Sequence, residues 1–281
     1  MAKKNTKETQ AAAVDSTKAQ EIVEILEVQE GVVDFCLLGR PGRGLMFNRK
    51  SERVQRDLLC PRGRLNATEK ALRLKHNPVE EFRASVHRLQ TGPTLLVFPA
   101  VAFKSAMATA ALDLPETRKA QIERLVWVTG DYVPIYGTPK LHMTDVVMGD
   151  IGRTPDIRTR AYLPQWACRI TVTFVKPLMR PQAIARLLAA SGLYIGVGDG
   201  RNAKGGKKTW GGYSIVEPTD PEFVRLIAQE GRAAQVEALR LAEPYDDPSA
   251  ELLEWFETDA RGGRTKAMRP RRPRRTSTRW R

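Results

Sequence analysis

Cysteine is scarce in this 281-residue chain: Cys36, Cys60 and Cys168 are the only three, far apart and without C-x-x-C spacing. An odd, scattered set excludes a disulfide framework and a zinc knuckle, and predicts free thiols that are buried or half-buried. Histidine is equally rare. His76, His87 and His142 stand in no Ser/His/Asp or Cys/His arrangement that spacing can support. No run of about 18 apolar residues occurs, so no membrane-spanning helix is expected. The first 20 residues lack the apolar core of a signal peptide, which predicts an intracellular protein. Acidic residues are also in short supply, with 32 Asp+Glu against 46 Lys+Arg and a net charge of +14. That imbalance points to polyanionic partners, nucleic acid before an anionic membrane surface. Hydrophobic residues, at 42%, are sufficient for a real core, and the length allows one large domain or two small ones.

The pattern along the chain predicts a flexible arm over residues 1–20 and a single domain over 21–260. A disordered basic tail is expected over 261–281, where ten Lys/Arg stand with no Asp or Glu. Ile22 to Val28 fits helix or strand, and Val32–Leu38 reads as a strand ended by turn chemistry at Gly39–Gly44. A polar, basic insertion is expected over 40–95, with nine Lys/Arg between Arg49 and Lys75. An Ala-rich helix should run from Pro99 to about Leu112. Short strands are expected at Leu125–Val128 and Val133–Ile135, followed by a second polar insertion over 137–165. Trp166–Phe174 alternates apolar and polar residues and is the clearest strand. A helix should follow from Arg180–Pro181 to Ser191, with Ile184, Leu187 and Leu188 on one stripe and Gly192 as its cap. Tyr213–Val216 reads as a last strand. Asp220–Leu241 reads as a helix, and a short helix should hold Leu252 to Phe256. The strand and helix order follows the β-α-β-β-α-β plan, so the expected class is α+β: a ferredoxin-like (RRM-like) core with two large insertions and a C-terminal helical extension.

The glycine-rich stretch between residues 196 and 213 is the most informative motif. Gly196, Gly198 and Gly206 would let backbone N–H groups approach a phosphate, and a Cβ at Gly198 or Gly206 would obstruct that approach. Arg201, Lys204, Lys207 and Lys208 add charge, while Trp210 and Tyr213 offer stacking faces. The stretch precedes a strand, so it is neither a Walker loop nor a dinucleotide fingerprint. A mobile hairpin that uses glycine only to turn is the plain alternative.

A helix with a Leu-Leu pair and a closing glycine, then Gly-x-Gly-x-Gly-Arg, then Gly-Gly-Tyr and a strand, resembles the glycine-rich loop of the RAMP superfamily. Those are the RRM-like proteins that form the crRNA-binding backbone of CRISPR effector complexes. The segment from Thr154 through Arg158 and Arg160 to Trp166 is also similar to uncharacterised tailed-phage proteins. The resemblance covers roughly residues 95–216. It implies an open groove lined with basic residues, a guide strand in it, and homo-oligomers or a multi-subunit complex along that strand. It also implies residence in a bacterial host cytoplasm, with a phage gene as one source.

Candidate phosphate contacts are Arg40, Arg43, Arg49, Arg158, Arg160, Arg169 and Arg201, with Arg271, Arg272, Arg274 and Arg275 in the tail. No catalytic residue, metal or cofactor is predicted. The histidines match no family motif firmly, and Asp145, Asp150 and Asp156 read as turn formers in a polar loop. The leading expectation is a non-enzymatic protein that binds single-stranded nucleic acid, RNA before DNA. The alternatives are an endoribonuclease of the same fold, or a phage structural or packaging protein that contacts the genome.

Overall fold

The structure, a computed structural model, describes residues 26–49, 59, 76–147, 155–202 and 208–260. The expected arm, most of residues 50–75, Lys204, Gly206 and Lys207, and the tail with Arg271, Arg272, Arg274 and Arg275 lie outside the described residues.

In chain order the strands are β1 (Gln29–Gly39), β2 (Leu45–Met46), β3 (His87–Arg88), β4 (Leu96–Pro99), β5 (Val126–Val128), β6 (Tyr132–Tyr136), β7 (Lys140–Val147), β8 (Pro155–Leu163), β9 (Ala167–Lys176) and β10 (Tyr213–Val216). The helices are α1 (Pro78–Ala84), α2 (Ala100–Ala110), α3 (Lys119–Leu125), α4 (Pro181–Ala190), α5 (Pro221–Gln229), α6 (Arg232–Leu241) and α7 (Asp247–Trp255). The molecule is therefore mixed α and β, with antiparallel pairing throughout its two sheets.

The larger sheet runs β10-β1-β9-β6-β4-β3, and β5 also pairs with β9. β5 and β6 lie end to end along β9, broken at Gly130–Asp131. The alternation in β9 sets the two faces. Cys168, Ile170, Val172 and Phe174 are buried, while Arg169 is exposed and Thr171 and Thr173 are half-buried. The register of β1 on β9, from Gln29↔Lys176 to Leu38↔Ala167, applies the same period to β1. Leu37 enters the main core, and its neighbours Cys36 and Leu38 face the other way.

α2 and α4 cover the main-core face. α4 starts at Pro181 and buries Ile184, Leu187 and Leu188, as its stripe predicts. Ile170 and Leu187 are both buried, as the sequence leads one to expect. α4 does not end at Gly192. It runs on into a π-helical turn over Ser191–Ile195, whose buried Ser191 hydroxyl lies 2.7 Å from the Tyr213 hydroxyl. α5 packs on the opposite face, where Phe223 and Leu226 meet Ala167, Cys36, Leu38 and Val216. The expected single helix over 220–241 breaks at Glu230–Gly231, where the Glu230 carbonyl accepts from the Gly137 amide.

Much of the second polar insertion is a β-hairpin, β7 with β8, joined by β2 into a small sheet β2-β8-β7. Two buried serines fasten it. Ser85, after α1, accepts from the Ala161 amide at 2.8 Å, and Ser249 of α7 accepts from the Met143 amide at 3.0 Å. Buried Gln235 on α6 ties the far edge of the large sheet. Its Oε1 accepts from the Leu95 and Leu96 amides, and its Nε2 donates to the carbonyls of Ile135 and Gly137. No described helix is long and apolar enough to cross a membrane.

Candidate nucleic-acid interface

Arg158 and Arg160 sit two residues apart on β8, so they project to the same face of the strand, with Asp156 behind them. Asn48 and Arg49 follow β2, whose partner is β8. His76 and Glu81 come from the start of α1, which is N-capped by Asn77 and begins at Pro78. Asp199 comes from the glycine-rich segment. Together these residues line a cleft of about 530 Å³.

Much of the cleft's charge is paired. Arg160 donates to Asp199 at 2.6 Å and to the Phe47 carbonyl at 3.2 Å, so it clamps the glycine-rich segment to β8 and β2. Burial pulls the Arg160 guanidinium below its ordinary value, and the Asp199 carboxylate opposes that shift. His76 bridges two carboxylates: Nδ1 is 2.8 Å from Glu81 Oε1 and Nε2 is 2.9 Å from Asp156 Oδ1. Two arginines differ from the rest. Arg158 is exposed, and among the described residues the Arg49 guanidinium makes a long 3.5 Å contact to the Val86 carbonyl. Neither has an ion pair among the described residues. Among the described residues the cleft therefore offers two guanidiniums without an ion pair beside a wall of fixed charge.

The other predicted contacts are dispersed. Arg43 turns inward and donates to the Leu193 carbonyl at 2.5 Å. Arg169 is exposed on β9 but lies over the Phe223 ring at 5.6 Å, on the α5 face of the large sheet. Arg201 is half-buried and reaches back to the Gly198 carbonyl at 3.4 Å. Arg40 is half-buried at the end of β1. Of the predicted arginines that are described, Arg49, Arg158 and Arg160 line one cleft, while Arg43, Gly196 and Trp210 border a separate, smaller one of about 120 Å³.

The glycine-rich segment departs from its expected role in the part that is described. Five of its amides already donate inside the protein. Gly196 donates to Ser191, Val197 to Gly211, Asp199 to Met46, Gly200 to its neighbour Asp199, and Gly211 to Gly44. Gly198 has φ +89°, and a Cβ there would lie 2.5 Å from the Met46 carbonyl oxygen. At Gly211, φ is +73° and a Cβ would lie 1.6 Å from the Val197 carbonyl oxygen. These glycines let two backbone segments approach each other, and the Gly196 amide is already bonded to the Ser191 carbonyl.

The aromatic expectations change for the same reason. Tyr213 is fully buried, its hydroxyl bonded to Ser191 and its ring 6.0 Å from that of Phe103, so it presents no stacking face. Trp210 is half-buried in a cluster with His142 and Tyr162, each 5.4 Å away between ring centroids. Lys208 places its ammonium 4.9 Å over the indole. Trp210 is thus chiefly a packing residue.

Sequence reasoning missed Glu81, Asp199 and Asn48, and set aside His76 and Asp156. One signal was present. Asp156-Ile-Arg158-Thr-Arg160-Ala alternates with period two, and reading it as a strand would have put Asp156, Arg158 and Arg160 on one face. The cysteines follow expectation where they are described: Cys36 is half-buried and Cys168 is buried and free. No protein-family model matches this chain. A comparison with curated proteins also finds no match.

Proposed function

We propose that this protein binds single-stranded nucleic acid along its phosphate backbone, RNA in preference to DNA, as a repeated subunit of a ribonucleoprotein or filament in a bacterial cytoplasm. The observation that carries the reading is the convergence of Arg49, Arg158 and Arg160 in one open cleft, two of them without a carboxylate partner among the described residues. Guanidiniums free of ion pairs are the groups that can replace condensed counterions on a phosphate chain. The net charge of +14 supplies long-range attraction. A RAMP-like reading is supported by strand order. Counting β1, β5, β9 and β10 as core strands gives the order β10-β1-β9-β5 with α2 and α4 in the connections, which is compatible with a ferredoxin-like plan.

The test is fluorescence anisotropy with labelled single-stranded RNA and DNA of equal sequence, at several salt concentrations. The double variant Arg49→Glu, Arg158→Glu should bind at least about tenfold more weakly with unchanged melting. Digestion of copurified nucleic acid with RNase and DNase separately identifies the natural strand. Absence of binding by the wild type at low salt would end the proposal.

A second reading, cleavage of RNA, is favoured by His76, which stands between two carboxylates in the same arginine-lined cleft. An imidazole in reach of a bound phosphodiester is a candidate proton carrier. Metal-independent cleavage lost in His76→Ala, with binding retained, would select it over plain binding.

A further inference from the structure

The C-terminal helix carries a surface opposite in character to the rest of the chain. From Asp246 to Asp259 the sequence holds six acidic residues and no Lys or Arg. α7 spans most of that stretch and exposes Leu252 and Trp255, three residues apart and therefore on one face. Trp255 is 58% exposed, and Glu251 and Glu254 beside it are exposed too. A large indole left in water and ringed by carboxylates is the composition of an interface anchor.

A matching surface lies elsewhere on the same chain. Between α3 and the start of α4 runs a groove of about 730 Å³. Leu114, Ile122, Met179 and half-exposed Leu178 give it an apolar lining. Among the described residues its charged lining is Arg180 and Arg186, both exposed. The helix offers an apolar pair flanked by negative charge, and the groove offers an apolar lining flanked by positive charge.

We infer that α7 of one copy docks in the α3–α4 groove of a second copy of this chain, by Leu252 and Trp255 in the groove and Glu251 and Glu254 on Arg180 and Arg186. Helix and groove are different surfaces, so the contact is head-to-tail and a pair keeps one free groove on one copy and one free helix on the other. Such a contact closes into a ring or grows into a filament. The inference names the surfaces behind the repeated-subunit part of the proposed function, and it stands apart from nucleic-acid binding because it can be measured with none present.

The experiment is sedimentation velocity on full-length, nuclease-treated protein over a concentration series, with circular-dichroism melting of every variant. Wild type should associate with rising concentration. Trp255→Ala should weaken association at least about tenfold. Two charge variants separate the surfaces: Arg180→Glu with Arg186→Glu, and Glu251→Arg with Glu254→Arg. Each alone should be monomeric, because its helix and groove then carry like charge. Mixed together they should reassociate, because each groove meets a helix of opposite sign. A monomeric wild type at all concentrations overturns the inference, as does association that survives both charge variants. Failure of the mixture to reassociate while both variants melt normally also overturns it. So does association lost on deleting residues 261–281 but kept in the charge variants, which would assign the acidic helix to the basic tail.

Discussion

The glycine-rich segment and the arginine cleft share a wall, yet they use their groups in opposite ways. In the segment, five backbone amides are bonded within the protein and the glycines admit carbonyl oxygens at distances no Cβ could tolerate. In the cleft, Arg49 and Arg158 have no carboxylate partner among the described residues. Glycine content reports that backbone comes close to something. Whether the something is a phosphate or another strand depends on which amides remain free, and here the amides of Gly196, Val197, Asp199 and Gly211 are bonded to Ser191, Gly211, Met46 and Gly44.

The sharpest way to break this contrast is Gly211→Ala. The substitution combines a left-handed backbone with a Cβ 1.6 Å from the Val197 carbonyl oxygen. Strain and overpacking together should cost about 3 kcal/mol or more, read as a large fall in denaturation midpoint. Gly198→Val should behave likewise, because its Cβ would meet the Met46 carbonyl. Normal melting with weakened nucleic-acid binding in either variant would restore the phosphate-cradle role.

Trp210→Ala comes next in size. The indole packs on His142 and Tyr162, and the C-terminal Tyr245 ring lies 4.4 Å from Tyr162 in the same cluster. Loss of a half-buried indole should cost about 2 kcal/mol of stability. If affinity for a single strand falls while melting stays constant, the ring is a base platform instead.

Much of the fold was legible because it depends on period and punctuation. β9, α4 and β10 stand where alternation, a leucine stripe and a β-rich tetrad put them. The β7–β8 hairpin was not legible. Its strands carry His142, Asp145, Arg158 and Arg160 among the apolar residues, because one side faces a polar cleft and the other is held by serines from α7 and the end of α1. The site was legible only in part. Arg49, Arg158 and Arg160 were identifiable as basic residues, but their meeting depends on β2 pairing with β8, a contact between residues more than a hundred positions apart. Glu81 and Asp199 acquire meaning only through His76 and Arg160.

A pH effect of moderate size should come from the aromatic cluster. His142 is buried, and burial is the main cause that lowers its pKa from the usual 6.5; Lys208 adds to the shift and Asp246, 3.2 Å from Nδ1, opposes it. Its Nε2 has no hydrogen-bond partner among the described residues. The folded protein therefore binds this proton less readily than the unfolded chain. The associated stability is complete above pH 6.5 and declines as pH falls through 6.5 toward the folded value. His87, also lowered by burial, acts in the same direction. Melting temperature should be lower at pH 5.5 than at pH 8, and His142→Phe should flatten the difference. A profile unchanged by that substitution would remove His142 as the cause.

Arg158→Ala is the smallest change and the one that most directly separates the two regions. Arg158 is exposed and has no ion pair among the described residues, so its removal should leave melting unaltered. If it touches one phosphate, the plot of log affinity against log salt for a single strand should flatten by about 0.7. Arg160→Ala gives the contrast. It breaks the 2.6 Å pair with Asp199 and the bond to the Phe47 carbonyl, so it should lower melting as well as affinity. A slope change with unaltered melting in Arg158→Ala, and a stability loss without that slope change in Arg160→Ala, assigns Arg158 to the ligand and Arg160 to the wall. An unchanged slope in Arg158→Ala would move the phosphate path out of the cleft, leaving Arg40 and Lys208 as the next residues to test.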